Sequence, residues 1–131
     1  MSYDDSNQRL QLRYNAFFNA SNSQFSVNTK YAVSQQKNKL YVDNTLLITA
    51  TASTFTTNYN LVFWGLNRPS GITTNGGVYR LYSCKIYDNG TLVRDYIPVL
   101  DYKGIPCLYD KLNDTFNYNG GTGDFIQGGV I

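Results

Sequence analysis

The chain has 131 residues, a net charge of +2 and a sequence pI near 8.5, and a domain of that length buries roughly two-thirds of its unfolded surface, so residues 1–131 are expected to fold as one unit. Its charged fraction of 15%, against roughly 25% for an average chain, excludes charge-driven disorder. All nine acidic residues are Asp, and His and Glu are absent, which removes imidazole general bases, Ser-His and Cys-His nucleophile pairs, imidazole zinc sites and the Glu of zinc deaminases and HExxH proteases.

No segment combines strong helix formers with a 3.6-residue apolar period, whereas period-two alternation broken by Asn, Asp and Gly recurs throughout. Arg9 to Tyr14 alternates, with Leu10, Leu12 and Tyr14 on one face. Phe25 and Val27 open a second short strand that Tyr31 to Val33 continues or follows. Lys39 to Val42 and Thr45 to Thr51 flank an Asp43-Asn44 turn. The apolar run Leu61 to Leu66 predicts a buried strand, with Trp64 in the core, and Asn67 to Gly77 reads as a polar loop. Val78 to Tyr87 is expected as the longest strand, with Tyr82, Cys84 and Ile86 on one face and Leu81, Ser83 and Lys85 on the other. Asp88-Asn89-Gly90 is the strongest hairpin signal, because Asn-Gly accepts the positive φ values of a tight primed turn. Thr91 to Pro98 returns as its partner. Leu108-Tyr109 and Phe116 to Tyr118 form a last hairpin around Leu112-Asn113-Asp114, and the glycine-rich tail closes with a short strand at Asp124 to Gln127. Residues 39–46 echo residues 85–92 as strand, Asx turn, strand, which reads as repeated hairpin chemistry and not as a solenoid period. About ten short strands at this spacing predict an all-β sandwich.

The basic residues are scattered singly, with Lys37 and Lys39 the nearest to a cluster, a pattern expected of a solvated strand end or loop and not of a nucleic-acid interface. No apolar run approaches about 18 residues, so no membrane span is expected. Met1 to Asp5 carries neither a basic nor an apolar leader segment, so no secretory signal is expected. Cys84 and Cys107 have no metal-ligand spacing; Cys84 reads as a small buried hydrophobe, and a pairing between the two is left open.

Residues 79–99, with Lys85-Ile86-Tyr87-Asp88-Asn89-Gly90-Thr91-Leu92 at their centre, continue into Gly104-Ile105-Pro106-Cys107-Leu108-Tyr109-Asp110-Lys111-Leu112-Asn113-Asp114-Thr115-Phe116 and Asn119-Gly120-Gly121-Thr122-Gly123-Asp124-Phe125. Together with Lys39-Leu40-Tyr41-Val42-Asp43-Asn44-Thr45-Leu46 and Leu61-Val62-Phe63-Trp64-Gly65-Leu66-Asn67, they resemble the laminin-G-like, concanavalin A-like jelly-roll modules found in structural proteins of tailed phages of gut bacteria and in related bacterial surface proteins. The resemblance spans about residues 38 to 127. It implies an antiparallel two-sheet jelly-roll sandwich that is a binding or structural module of a virion or extracellular surface and not an enzyme; because few residues precede the first hairpin, either the sandwich is abbreviated at the N-terminus, or a strand comes from a neighbouring chain, or the chain is a fragment. An abbreviated sheet leaves an open edge, so a homo-oligomer, a strand from a neighbouring chain or docking on a larger assembly is expected.

Glycosidases on this fold use paired carboxylates, commonly Glu, and no Asp pair lies on a predicted strand here. Asp110 and Asp114 are expected to structure a turn. Relatives with laminin-G character hold Ca²⁺ through Asp, Asn and carbonyl oxygens, and Asp88, Asn89 and Asp95, or Asp110, Asn113 and Asp114, could contribute; Asx-turn formation accounts for the same residues, so no metal or other cofactor is assigned. Sugars are held by aromatic faces and planar amides, both plentiful here. The expected ligand is a host-surface glycan, and Asn67, Arg68 and Asn75 of the polar loop are the expected ligand-binding residues, because loops at sandwich ends carry binding. The alternative is a purely structural virion protein, a capsid decoration, head fibre or tail component whose partners are proteins.

Overall fold

Alternating apolar residues joined through two-residue turns produce an all-β chain. The computed structural model describes residues 2–4, 9–13, 17–21, 25–26, 28–56, 65–68, 71–74, 79–120 and 124–128, and no helix occurs among them. The strands are β1 (Ser2–Asp4), β2 (Arg9–Arg13), β3 (Phe17–Asn19), β4 (Val33–Gln36), β5 (Lys39–Val42), β6 (Thr45–Thr49), β7 (Gly65–Arg68), β8 (Gly71–Thr74), β9 (Cys84–Asp88), β10 (Thr91–Leu100), β11 (Pro106–Asp110) and β12 (Thr115–Asn117). The chain divides into two compact units, Met1–Gly77 and Val78–Ile131.

In the first unit, β1-β2-β3 and β4-β5-β6 form two three-stranded antiparallel sheets, and β7-β8 is a separate hairpin. Leu10 and Leu12, two residues apart on β2, point inward as the alternation requires. Leu40 of β5 and Ile48 of β6 meet them, and Ala20, Phe25 and Ala50 complete one apolar cluster shared by the two sheets, a sandwich-like arrangement. Phe25 sets its ring edge-on to Tyr31 at 5.1 Å. Two Asx residues fasten the turns of the second sheet. Asp43 donates its N–H to the Ala32 carbonyl at 2.8 Å and accepts the Ala32 N–H on Oδ1 at 2.9 Å. Asn38 donates Nδ2 to the Ala50 carbonyl at 2.7 Å, and its own carbonyl accepts the Ala50 N–H at 2.8 Å.

The second unit is a four-stranded antiparallel meander, order β12-β11-β10-β9. The expected Asn89-Gly90 turn is present, with φ of 46° and 85°, as is its counterpart at Asp43-Asn44 with φ of 47° and 65°. The sequence echo extends into the ladders. Tyr41 pairs with Leu46 and Leu40 with Ile48, so Leu47 is an extra residue; Tyr87 pairs with Leu92 and Ile86 with Arg94, so Val93 is one too. Each hairpin therefore bulges at the third residue after its turn, with two residues opposing one and an added local twist.

Several strands differ from the sequence expectation. β9 starts at Cys84, residues 79–83 are not in a strand, and β10 with ten residues is the longest of the described strands. Pro98 supplies a reason. Asp101 donates its N–H to the Ile105 carbonyl, which places the backbone groups of Val99 and Ile97 toward β11 and the Pro98 nitrogen on the β9 side. Continuing the Cys84–Tyr96 register would set Tyr82 against Pro98, and proline has no N–H to donate. Phe25 is buried, but residues 25–26 are not in a strand. β1 and β3 have three residues each, too few to show an alternation. Asn67 to Gly77 is not simply a loop, since β7 and β8 pair across it from Gly65↔Thr74 to Arg68↔Gly71. Asp124 to Gln127 is not a strand; Gly120 and Gly128 flank it, and glycine raises the entropic cost of fixing an extended chain. Tyr14, Val27 and the run 61–64 with Trp64 lie outside the described residues.

Cys84 pairs with Tyr96 and Cys107 with Val99, on opposite sides of β10. Tyr96 and Val99 are three residues apart, about 10 Å along the strand and on opposite sheet faces, whereas a disulfide needs Cα atoms within about 7 Å. Both cysteines are free thiols. The unfolded, unreduced monomer should yield two thiols in a colorimetric thiol assay, and a value near zero would contradict the register. Leu40 is fully buried and Leu46 is 48% exposed. Leu40→Ala should therefore cost about 2–5 kcal/mol in urea unfolding, and Leu46→Ala within about 0.5 kcal/mol.

Candidate ligand-binding groove

Among the described residues, the buried side chains of the second unit are Cys107 and two carboxylates, Asp101 and Asp110. Asp110 ends β11 and is 1% exposed. Its Oδ1 accepts the N–H groups of Asp95 at 3.0 Å and Leu112 at 3.1 Å, and its Oδ2 accepts Asn113 Nδ2 at 2.7 Å. Arg94 Nε stands 3.6 Å from Oδ2. Arg94 Nη1 and Asn113 Nδ2 also converge on the carbonyl of the bulged Val93, at 2.6 and 3.2 Å. Burial opposes the charge on Asp110, but the hydrogen bonds from Asp95, Asn113 and Leu112, with Arg94 beside them, hold its pKa below the usual carboxylate value.

Asp101 follows β10 and organises the connection to β11. Its Oδ1 accepts the N–H groups of Lys103 and Ile105, both at 2.8 Å, and its Oδ2 accepts the Tyr118 hydroxyl at 2.9 Å. Gly104 sits at φ 79° in this turn, where a side chain would be strained. The Ile105 N–H contributes most to lowering the Asp101 pKa, against the effect of burial, with Tyr118 and Lys103 adding to it. The same bond to Asp101 raises the Tyr118 phenol, while burial, aided by the charge of Asp101, raises the Cys107 thiol.

Asp101 thereby fixes two walls of an open groove of about 320 Å³, lined by Ile105, Pro106, Tyr118, Asn119, Asp124 and Phe125. Two aromatic rings, one amide and one carboxylate beside Ile105 and Pro106 suit a small, partly polar ligand laid against a ring face. Around the groove, Tyr102 is 87% exposed and Ile126 91% exposed.

Of the sequence-predicted ligand residues, Asn67 and Arg68 fall on β7, paired with Ile72 and Gly71, and Asn75 lies outside the described residues. Among the described residues, no group of three or more His, Cys, Asp or Glu suited to a metal occurs. Asp88 accepts Asn89 Nδ2 at 3.2 Å, and Asp95 pairs with Lys111 at 3.0 Å. Asp110 and Asn113 bond to each other and Asp114 accepts the Tyr109 hydroxyl at 2.7 Å, which is the expected turn-structuring role. Five of the groove residues, Ile105, Pro106, Asn119, Asp124 and Phe125, lie in the stretches that carry the family resemblance, but no local pattern marks them as ligand-binding. The sequence signal for Asp101 was there in Asp101-Tyr102-Lys103-Gly104, an Asx residue three before a glycine. Comparison with family models, curated proteins and solved structures finds no match to this chain.

Because the pKa values of Asp101 and Asp110 are lowered by folding, their stabilisation is present above the ordinary carboxylate pKa and is lost as pH falls through the folded values. Thermal melts followed by circular dichroism should show the melting temperature of the second unit dropping on acidification. Asp110→Asn, which sets an amide nitrogen or a single oxygen against three donors, should start lower at neutral pH and depend less on acid. Equal acid slopes for variant and parent would refute the assignment.

Proposed function

We propose that this chain is a non-enzymatic binding module of a virion or cell-surface assembly, with a jelly-roll type of sandwich, and that it holds an uncharged or amine-bearing glycan in the Tyr118–Phe125 groove. The observation that carries the reading is the lining of that groove: aromatic rings to stack on a sugar face, Asn119 to pair with hydroxyls, and Asp124 as its single carboxylate. Asp124 disfavours an acidic sugar and favours hydroxyl or amine donors. The two buried carboxylates are committed to backbone N–H groups and a phenol, which supports binding over acid–base chemistry. The resemblance of residues 38 to 127 to laminin-G-like phage and surface modules supports the same class. Affinity per site is weak and is raised by multivalent display on an oligomer or a larger assembly.

The second reading, a structural module docking on protein, is favoured by β4, an edge strand whose four residues are all exposed. Such an edge is available for pairing with another chain.

A glycan array on the purified chain, with light scattering on the same sample, tests both. Array hits among neutral or amino sugars are expected. Phe125→Ala should weaken the best hit about tenfold, the factor that corresponds to roughly 1.4 kcal/mol of lost stacking, without lowering the melting temperature, since Phe125 is 38% exposed. No hits, or binding undiminished in Phe125→Ala, would end the glycan reading and leave the docking role.

A further inference from the structure

The chain contains three Asn-Gly dipeptides: Asn75-Gly76, Asn89-Gly90 and Asn119-Gly120. The first lies outside the described residues; the other two occupy opposite structural settings. We infer that Asn119 is a self-modification site that converts with time to a carboxylate, while Asn89 is protected by its hairpin.

The chemistry needs only water. The Gly120 backbone nitrogen attacks Asn119 Cγ, forming a new C–N bond. The Cγ–Nδ2 bond breaks, ammonia departs with the amide proton, and a five-membered succinimide remains. Water then opens either carbonyl, leaving aspartate or isoaspartate. Ring closure requires rotation about the Asn Cα–C bond, and a following glycine permits it because no Cβ blocks the approach.

At Asn89 that rotation is opposed. Asn89 and Gly90 are held at φ of 46° and 85°, between the paired residues Asp88 and Thr91, and the Asn89 amide donates to Asp88 at 3.2 Å. Reaching the ring geometry means dismantling the turn. Asn119 and Gly120 follow β12, are exposed, and belong to no strand. A Cβ built on Gly120 meets nothing within 4 Å, so no group outside its chain neighbours crowds Gly120. The neighbouring Asn113 and Asn117 each precede a residue that bears a side chain, Asp114 and Tyr118.

Conversion would change the groove itself. Asn119 lines it together with Asp124, so the product places a second carboxylate there and replaces an amide that could both donate and accept by a group that only accepts.

The test is to age the folded, full-length chain at mildly alkaline pH and to follow the amide-to-acid mass change site by site after trypsin digestion. Residues 86–94 report Asn89 on their own, and fragmentation of 112–131 separates Asn113, Asn117 and Asn119. Asn119 should convert several-fold faster than Asn89 in the folded chain, and the two rates should converge in denaturant. Gly120→Ala should slow conversion at residue 119 several-fold with the fold intact by circular dichroism. Equal rates in the folded chain, faster conversion at Asn89, or an Asn119 that converts in denaturant but not when folded would overturn the proposal.

Discussion

A carboxylate that accepts several backbone N–H groups at once can do in a thin sheet what an apolar core does in a thick one. Asp110 is such a group. It stands at the end of β11 and gathers donors from β10, from the β11–β12 turn and from Asn113, so three consecutive chain segments share one anchor. Buried carboxylates are costly unless the field around them is filled with donors, and here donors fill it. The bulge at Val93 belongs to the same arrangement. The extra residue turns a carbonyl toward Arg94 and Asn113, the residues that also approach Asp110. Asp101 repeats the device at the other end of β11 and, by holding both Ile105 and Tyr118, shapes the groove. The second unit is thus ordered by directional bonds, whereas the first is ordered by the apolar cluster around Leu12 and Leu40.

That difference explains what could be read from sequence. Leu10 and Leu12 announce themselves by alternation, because hydrophobic burial on a strand leaves a period of two. The Asn89-Gly90 turn announces itself by its need for positive φ, and the echo of residues 39–46 in 85–92 reaches further than its residue matches, to the same bulge position in both hairpins. In contrast, Asp110 and Asp101 look like ordinary turn residues. Their importance comes from donors at positions 95, 105 and 118 that meet only once the meander has formed. β1 and β3 lie at the lower limit of length at which a pattern exists, and the shortening of β9 depends on a proline in a different strand.

The candidate groove was illegible for a related reason. It joins Ile105 and Pro106 at the start of β11, Tyr118 and Asn119 after β12, and Asp124 and Phe125 in the tail. Sequence reasoning favoured the loop with the most polar side chains, 67–77, yet polarity there is compatible with a hairpin whose backbone groups pair through β7 and β8. What gathers the groove is the geometry of the 101–105 turn and a single hydroxyl bond to Tyr118.

Pro98 also bears on how copies of this chain can meet. Stacked, in-register strands require every residue to donate and accept in turn along the stack, and a residue without an N–H interrupts that sequence at Pro98 of β10, the longest described strand. The part of β10 that extends past β9, residues 97–100, therefore makes a poor template for fibril growth, although Ile97 and Val99 beside Pro98 have the composition that growth favours. One missing hydrogen atom thus works against strand-on-strand association at high local concentration.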